Sequence, residues 1–341
     1  MIYLNKNKYT TIELCIMSFI LLNSFTSTLL INLFKGYTTI EILLSVGIYS
    51  LLGYILINLL IRNHSSNFID NSIKLKSLKL LIILILIGST TLMGIYTLFY
   101  TSSIIKDVLL PNTSLKLIFL IILSISTFLA NKGLKSIVIA SNLLFPILFV
   151  FFIISIIFNL NNIETINLLP ISFEIEKLNF FKILILTFSP LFLILVIPKN
   201  EIDNFKTYKY KIKKTYIFFV IYLIIKILFI ISILGLNYMS ILKYPEITVF
   251  KYINIFDFIK RLEEILVLNI FIENFILLSL VIFYNYKLLT KIKSIKHMII
   301  VNPIIMYLIL LNINNFNIDF LIYSNILFII INLFLYDRKR T

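Results

Sequence analysis

Two ionisable side chains sit where charge is most costly. Lys226 and Glu273 each lie near the midpoint of a long apolar run. A lone charge at mid-bilayer depth costs roughly 2.5–3.5 kcal/mol on insertion scales, so each needs a partner or a wet cavity. Their similar depth makes mutual pairing one reading, separate partners a second, and a lysine reaching to the interface a third. Around Glu273, helical spacing places Glu263, Leu266, Ile270 and Asn274 close to one face, with Asn269 adjacent. Hydroxyls form further clusters: Ser24, Thr26, Ser27 and Thr28 in one run, Thr187 and Ser189 beside Pro190 in another. Such groups can serve a ligand at a helix break, or simply hydrogen-bond between and within helices. Thr90, Thr91, Tyr96 and Tyr100 in a third run could line the same site or pack.

Other chemistry is not suggested. His64 and His297 are too far apart and too unsupported for a metal site. No phosphate loop, paired catalytic carboxylates or nucleophile–base arrangement is present, so no enzyme activity and no cofactor is expected. The single cysteine, Cys15, precludes an intramolecular disulfide and reads as an apolar filler.

The elements that must position these residues are ten apolar stretches, at 11–34, 38–61, 79–105, 115–130, 134–158, 180–198, 215–236, 262–284, 298–312 and 318–336. The chain is 60% hydrophobic and 14% charged, more apolar surface than a soluble core can hide. Each stretch approaches the roughly 20 residues that cross the bilayer core as a helix, the form in which a spanning segment satisfies its own backbone. The expectation is an all-α polytopic membrane protein, a single transmembrane domain over 1–341, with no soluble module between its spans. No cleavable signal peptide is expected, because the first apolar stretch is too long.

The net charge of +15 looks like a nucleic-acid signal until it is mapped. With the N-terminus inside, about two thirds of the Lys and Arg fall in internal segments, which fits the positive-inside rule and puts both termini in the cytoplasm. The runs Lys206–Lys214 and Lys287–Lys296 then read as anchors facing anionic lipid, with no nucleic-acid partner. Ten spans with both ends inside divide into five plus five, an odd number per half, which inverts one half relative to the other as in a large class of secondary transporters. Spans 1 and 6 would be the broken helices of the two halves. Pro190 removes a donor from span 6 and should bend it.

Three stretches resemble the B subunit of spore germinant receptors, the endospore germination permease family of the amino acid–polyamine–organocation transporter superfamily. The first is Leu109-Leu110-Pro111-Asn112-Thr113, then Asn131-Lys132-Gly133-Leu134 and a helix reaching Phe145-Pro146. The second is Asn167-Leu168-Leu169-Pro170. The third is Tyr244-Pro245-Glu246, the connector from Ile253 to Phe258, and Arg261-Leu262-Glu263. The family similarly has a Leu-Pro-x-Thr segment, a Lys-Gly-(Ile/Leu) turn, a helix ending in proline, an Asn-Leu-Leu-Pro loop and an Arg-Leu-Glu signature. The chain departs from the family in three places. Ile139 and Asn142 stand where the family usually has Arg and Glu, Leu191–Leu193 where it has Gly-Glu, and Ser24–Thr28 where it has glycines.

The resemblance implies a subunit in the spore inner membrane that binds a small nutrient, such as an amino acid, among spans 1, 3, 6 and 8. It also implies partners, the A subunit and the lipoprotein C subunit of the receptor. The alternatives are an amino-acid or organic-cation permease and a non-binding scaffold subunit, the latter favoured by the departures on spans 5 and 6.

Overall fold

The computed structural model describes residues 8–24, 34, 37–64, 76–169, 180–251, 263–292, 298–312 and 318–337. These are helical almost throughout, and their only β feature is a parallel bridge between Tyr9 and Ile202. The helices are α1 (Thr11–Ser24), α2 (Thr39–Asn63), α3 (Lys76–Ile104), α4 (Leu115–Asn131), α5 (Leu134–Asn159), α6 (Phe180–Phe188), α7 (Phe205–Leu234), α8 (Leu236–Ile241), α9 (Pro245–Lys251), α10 (Glu263–Ile292), α11 (Met298–Asn312) and α12 (Ile318–Asp337). Five apolar segments are long enough to cross a membrane: Thr39–Arg62, Lys79–Leu109, Leu134–Asn162, Phe205–Leu234 and Leu266–Ile292. Five shorter apolar helical segments accompany them: Thr11–Ser24, Leu115–Asn131, Leu184–Val196, Ile299–Asn312 and Asp319–Leu333.

Local chemistry sets several boundaries. Thr38 caps α2 with a reciprocal pair: its Oγ1 accepts from Glu41 N at 3.4 Å, and Glu41 Oε2 accepts from Thr38 N at 2.8 Å. Asn204 caps α7 by accepting from the N–H groups of Lys206 and Thr207, each at 3.1 Å. That helix therefore starts at Phe205, well ahead of the apolar stretch expected from residue 215. Gly133 at the α4–α5 turn has φ +94°, and Gly235 between α7 and α8 has φ +71°; a side chain would strain either backbone. Pro146 does not end a helix. It lies inside α5, which runs on to Asn159, as membrane helices allow where neighbours re-satisfy the freed backbone.

The sixth apolar stretch is not one continuous α-helix. Ser189 N makes the last α-type bond, to Ile185 O at 3.0 Å, and from Pro190 to Val196 the chain tightens into a 3-10 turn. Pro190 has no N–H to offer Leu186, and its ring would press on that carbonyl.

Burial separates centre from periphery. On α1 the run from Met17 to Ser24 is buried on every side, as is Pro190–Val196, the pattern of helices surrounded by other helices. By contrast α4, α5 and α11 expose Phe128, Leu143 and Leu308 outward, which suits lipid and not water. Helix α1 packs on α5, α7, α10 and the Pro190–Val196 turn, while α10 packs on α3, α4, α5, α9 and α11. At one end of the bundle the residues around the β-bridge join the two central elements. Tyr9 N donates to Glu201 O at 2.7 Å and Asp203 N to Tyr9 O at 3.0 Å.

Candidate functional site

Polar groups gather where α1, α7, α9 and α10 meet. On α10, helical periodicity turns Asn269, Glu273 and Asn274 inward, and all three are buried. Glu273 Oε1 accepts from Asn23 Nδ2 of α1 at 2.5 Å. The Tyr222 hydroxyl of α7 lies within hydrogen-bonding reach of the Asn23 side chain. One turn further along α7, Lys226 Nζ stands 5.9 Å from the centre of the Tyr222 ring.

Lys226 forms its ion pair with Glu246 Oε1 and not with Glu273. Glu246 belongs to α9, a short helix with Pro245 in its first turn, where a proline's missing N–H costs nothing. Ile247, Val249 and Phe250 of α9 are buried with it, so the apolar face of α9 carries the carboxylate down onto α7 and α10. The pairing inferred from equal depth in the two spans fails for this reason: the connector supplies a nearer carboxylate. Glu273 remains part of the same electrostatic neighbourhood as Lys226 and Glu246. Within this centre, Asn269 Oδ1 and Asn274 Oδ1 are buried without a hydrogen-bond partner among the described residues. Two unsatisfied amide acceptors thus share a helix with a buried carboxylate, groups that suit a donor-rich cation such as an ammonium group.

The outer edge of the centre is tyrosine-rich. Tyr96 stacks on Tyr100 at 6.2 Å, and Tyr100 meets Tyr244 edge-on at 6.0 Å. The Tyr244 hydroxyl donates to Asp107 Oδ2 at 3.0 Å, and Lys243 Nζ reaches the same oxygen at 2.6 Å. Asp107 sits in the π-helical turn Ile105–Leu109 that ends the third span, just before Pro111. This pair ties the α8–α9 connector to α3.

Other expected site residues lie elsewhere. Thr90 donates to Asn285 Oδ1 at 2.5 Å and to Leu86 O at 2.7 Å, an α3–α10 clasp and not a lining of the centre. Thr187 is within hydrogen-bonding reach of Tyr49, in a cluster where Phe188 meets Tyr49 at 6.1 Å and Tyr216 at 5.5 Å. That places Thr187 toward α2 and α7. Ser189 Oγ donates back to Leu186 O at 3.4 Å, and Ser24 Oγ to Leu21 O at 2.8 Å. Thr26, Ser27, Thr28, Pro170, Arg261 and the Glu263 side chain lie outside the described residues.

Sequence reasoning missed Asn23, Tyr222 and the role of Glu246. Asn23 had a usable signal, an amide in mid-span beside the Ser24 run. Glu246 had another, a carboxylate directly ahead of the apolar Ile247, Val249 and Phe250. No group of three or more His, Cys, Asp or Glu fit to hold a metal occurs among the described residues.

A family model described as spore germination protein matches residues 9–321. A search of the curated proteins gives no match. The match spans all the described helices up to the start of α12, including Asn23, Lys226, Glu246 and Glu273, and the chain belongs to the spore germination protein family.

Proposed function

We propose that this chain is the membrane-embedded B subunit of a nutrient germinant receptor, and that it senses a small amine-bearing molecule, an amino acid, at the α1–α10 centre. The observation that carries the reading is the buried set of acceptors on α10, Glu273 with Asn269 and Asn274, held against Asn23 of α1. A ligand ammonium group would supply the donors that the Asn269 and Asn274 oxygens lack, beside the Glu273 charge. Sensing then requires that the ligand favour one of two arrangements of the surrounding helices. No catalytic step is part of this role. The partners are the receptor's A and C subunits, and the location is the spore inner membrane, with both termini in the cytoplasm.

The packing supports a five-plus-five inverted repeat. Exchanging each span for the one five later leaves most neighbours unchanged. The contact of α1 with α7 corresponds to that of α6 with α2, and α4 with α10 to α11 with α3. Likewise α5 with α10 corresponds to α12 with α3, and α1 with α5 to α6 with α12. Both break candidates, α1 and the Pro190 turn, pack on each other. This symmetry also favours a second reading, a permease that alternates access around the same centre.

A thermal-shift screen of amino acids on the purified receptor complex tests the first reading. Stabilisation by at least one amino acid that is lost in Glu273→Gln supports it, and no response to any amino acid defeats it. Radiolabelled uptake into proteoliposomes separates the permease from the sensor.

A further inference from the structure

Apart from that centre, a cleft of about 340 Å³ lies between α1, α5 and α7. Its walls change character along its length. Lys211, Lys214 and Thr215 of α7 line one part, and Phe19, Phe145 and Phe218 the other. The three rings form a continuous apolar floor: Phe19 lies 5.5 Å from Phe145 and 5.6 Å from Phe218.

The length of α7 fixes how this cleft stands in a membrane. Its 30 residues extend about 45 Å, roughly 15 Å more than a bilayer's hydrocarbon core. The surplus must be the lysine-rich start of the helix, because charged side chains avoid the hydrocarbon. Lys211 and Lys214 then stand at headgroup depth, and Phe218 one turn beyond Lys214 stands at acyl-chain depth. Lys211 Nζ reaches Thr11 Oγ1 at 3.4 Å, and Lys214 Nζ sits 4.6 Å over the Tyr210 ring. Neither has a carboxylate within salt-bridge distance among the described residues.

We propose that this cleft is a binding site for one anionic phospholipid. Its phosphate would lie between Lys211 and Lys214, and an acyl chain would run along Phe19, Phe145 and Phe218. Charge complementarity selects the headgroup, and the ring-lined floor selects a lipid over a free anion. Because α1 forms one wall, the lipid would touch the helix that also carries Asn23, yet the proposal does not depend on ligand sensing.

Native mass spectrometry of the full-length protein, released from detergent with phosphatidylglycerol or with phosphatidylcholine of the same acyl chains, tests the idea. One phosphatidylglycerol should be retained, with phosphatidylcholine retained several-fold less. K211Q/K214Q should lower phosphatidylglycerol retention about tenfold or more, since each lysine near a membrane surface adds appreciable attraction to anionic lipid. K209Q/K213Q, on the same helix but outside the cleft, should leave retention unchanged and controls for general charge loss. Equal retention of the two lipids, or equal losses in the two double variants, overturns the proposal. Stabilisation by inorganic phosphate equal to that by phosphatidylglycerol would also overturn it, in favour of a simple anion site.

Discussion

Asn23 on α1 donates its side-chain N–H to Glu273 Oε1 across 2.5 Å, joining the chain's first helix to α10 over 250 residues of sequence. Both side chains are buried, so the bond separates two roles that a carboxylate can play. Glu273→Gln keeps an oxygen for Asn23 and should leave the thermal midpoint nearly unchanged. It should abolish any amino-acid-induced stabilisation, because the negative charge is gone. Glu273→Leu leaves the Asn23 donor unpaired and should cost about 1–3 kcal/mol in unfolding experiments. A Gln variant that responds to ligand as the native protein does would remove Glu273 from the binding role.

Lys226 and Glu246 are expected to behave as a unit. Removing one partner leaves the other's charge buried and uncompensated, so Lys226→Met or Glu246→Gln alone should destabilise by about 3–5 kcal/mol. The double variant should lose clearly less than the sum of the singles, and Lys226→Met combined with Glu273→Gln should show a smaller recovery. Denaturant titration of the native protein, the three single variants and the two double variants in one detergent gives the two coupling energies. Additive losses for Lys226 and Glu246 would count against their ion pair.

His64 provides a pH test. At the end of α2 its Nε2–H donates to Ile197 O at 2.8 Å, its ring meets Phe205 at 5.4 Å, and its Nδ1 is buried without a partner among the described residues. Burial, with Lys199 nearby, pushes its pKa down to about 4. Unfolded, a histidine takes up a proton near pH 6.5. Between those values the unfolded chain holds the extra proton, so stability falls as pH falls from about 6.5 toward 4, by about 2 kcal/mol at pH 5. His64→Gln should flatten that part of the stability–pH curve. An unchanged slope would show that His64 is not the group responsible.

Gly53 of α2 faces the Tyr216 hydroxyl and the Phe188 ring so closely that a Cβ there would overlap both. Gly53→Ala should therefore destabilise by about 1–3 kcal/mol. Tyr216→Phe removes the overlapping oxygen, at the loss of its 3.1 Å bond to Ser50 O. The double variant should thus be more stable than the two separate losses combined would give, as differential scanning fluorimetry can measure.

Sidedness follows from the charge map. Lys209→Cys and Lys243→Cys place thiols at two exposed positions, while the native Cys15 is buried. An impermeant maleimide added to intact cells should label position 243 and spare 209 until the membrane is opened. Equal labelling of both would break the assigned topology.

Apolar runs and their punctuation were legible in sequence because hydropathy is a local property. So was the disruption at Pro190, since a missing donor is a fact about one residue. The partners of Lys226 and Glu273 were not legible. Pairing by depth compares spans alone, whereas the carboxylate that reaches Lys226 arrives on a connector, Glu246, whose approach depends on α9 folding onto the bundle. Hydroxyls misled for a related reason. Ser24 and Ser189 satisfy themselves on carbonyls of their own helices, an option every membrane helix offers. Asn23 stood out less, since nothing in its neighbours names a carboxylate 250 positions away.

The Tyr9–Ile202 bridge gives the molecule a mechanical polarity. At that end, the segments flanking the first and sixth spans are stitched by two main-chain bonds between neutral groups, which salt does not screen. The α8–α9 segment is held instead by links between side chains, the exposed Asp107–Lys243 pair to the end of the third span and the buried Lys226–Glu246 pair to α7, of which the exposed one is open to a competing ion. High salt should therefore loosen the Asp107–Lys243 link and leave the Tyr9 bridge intact.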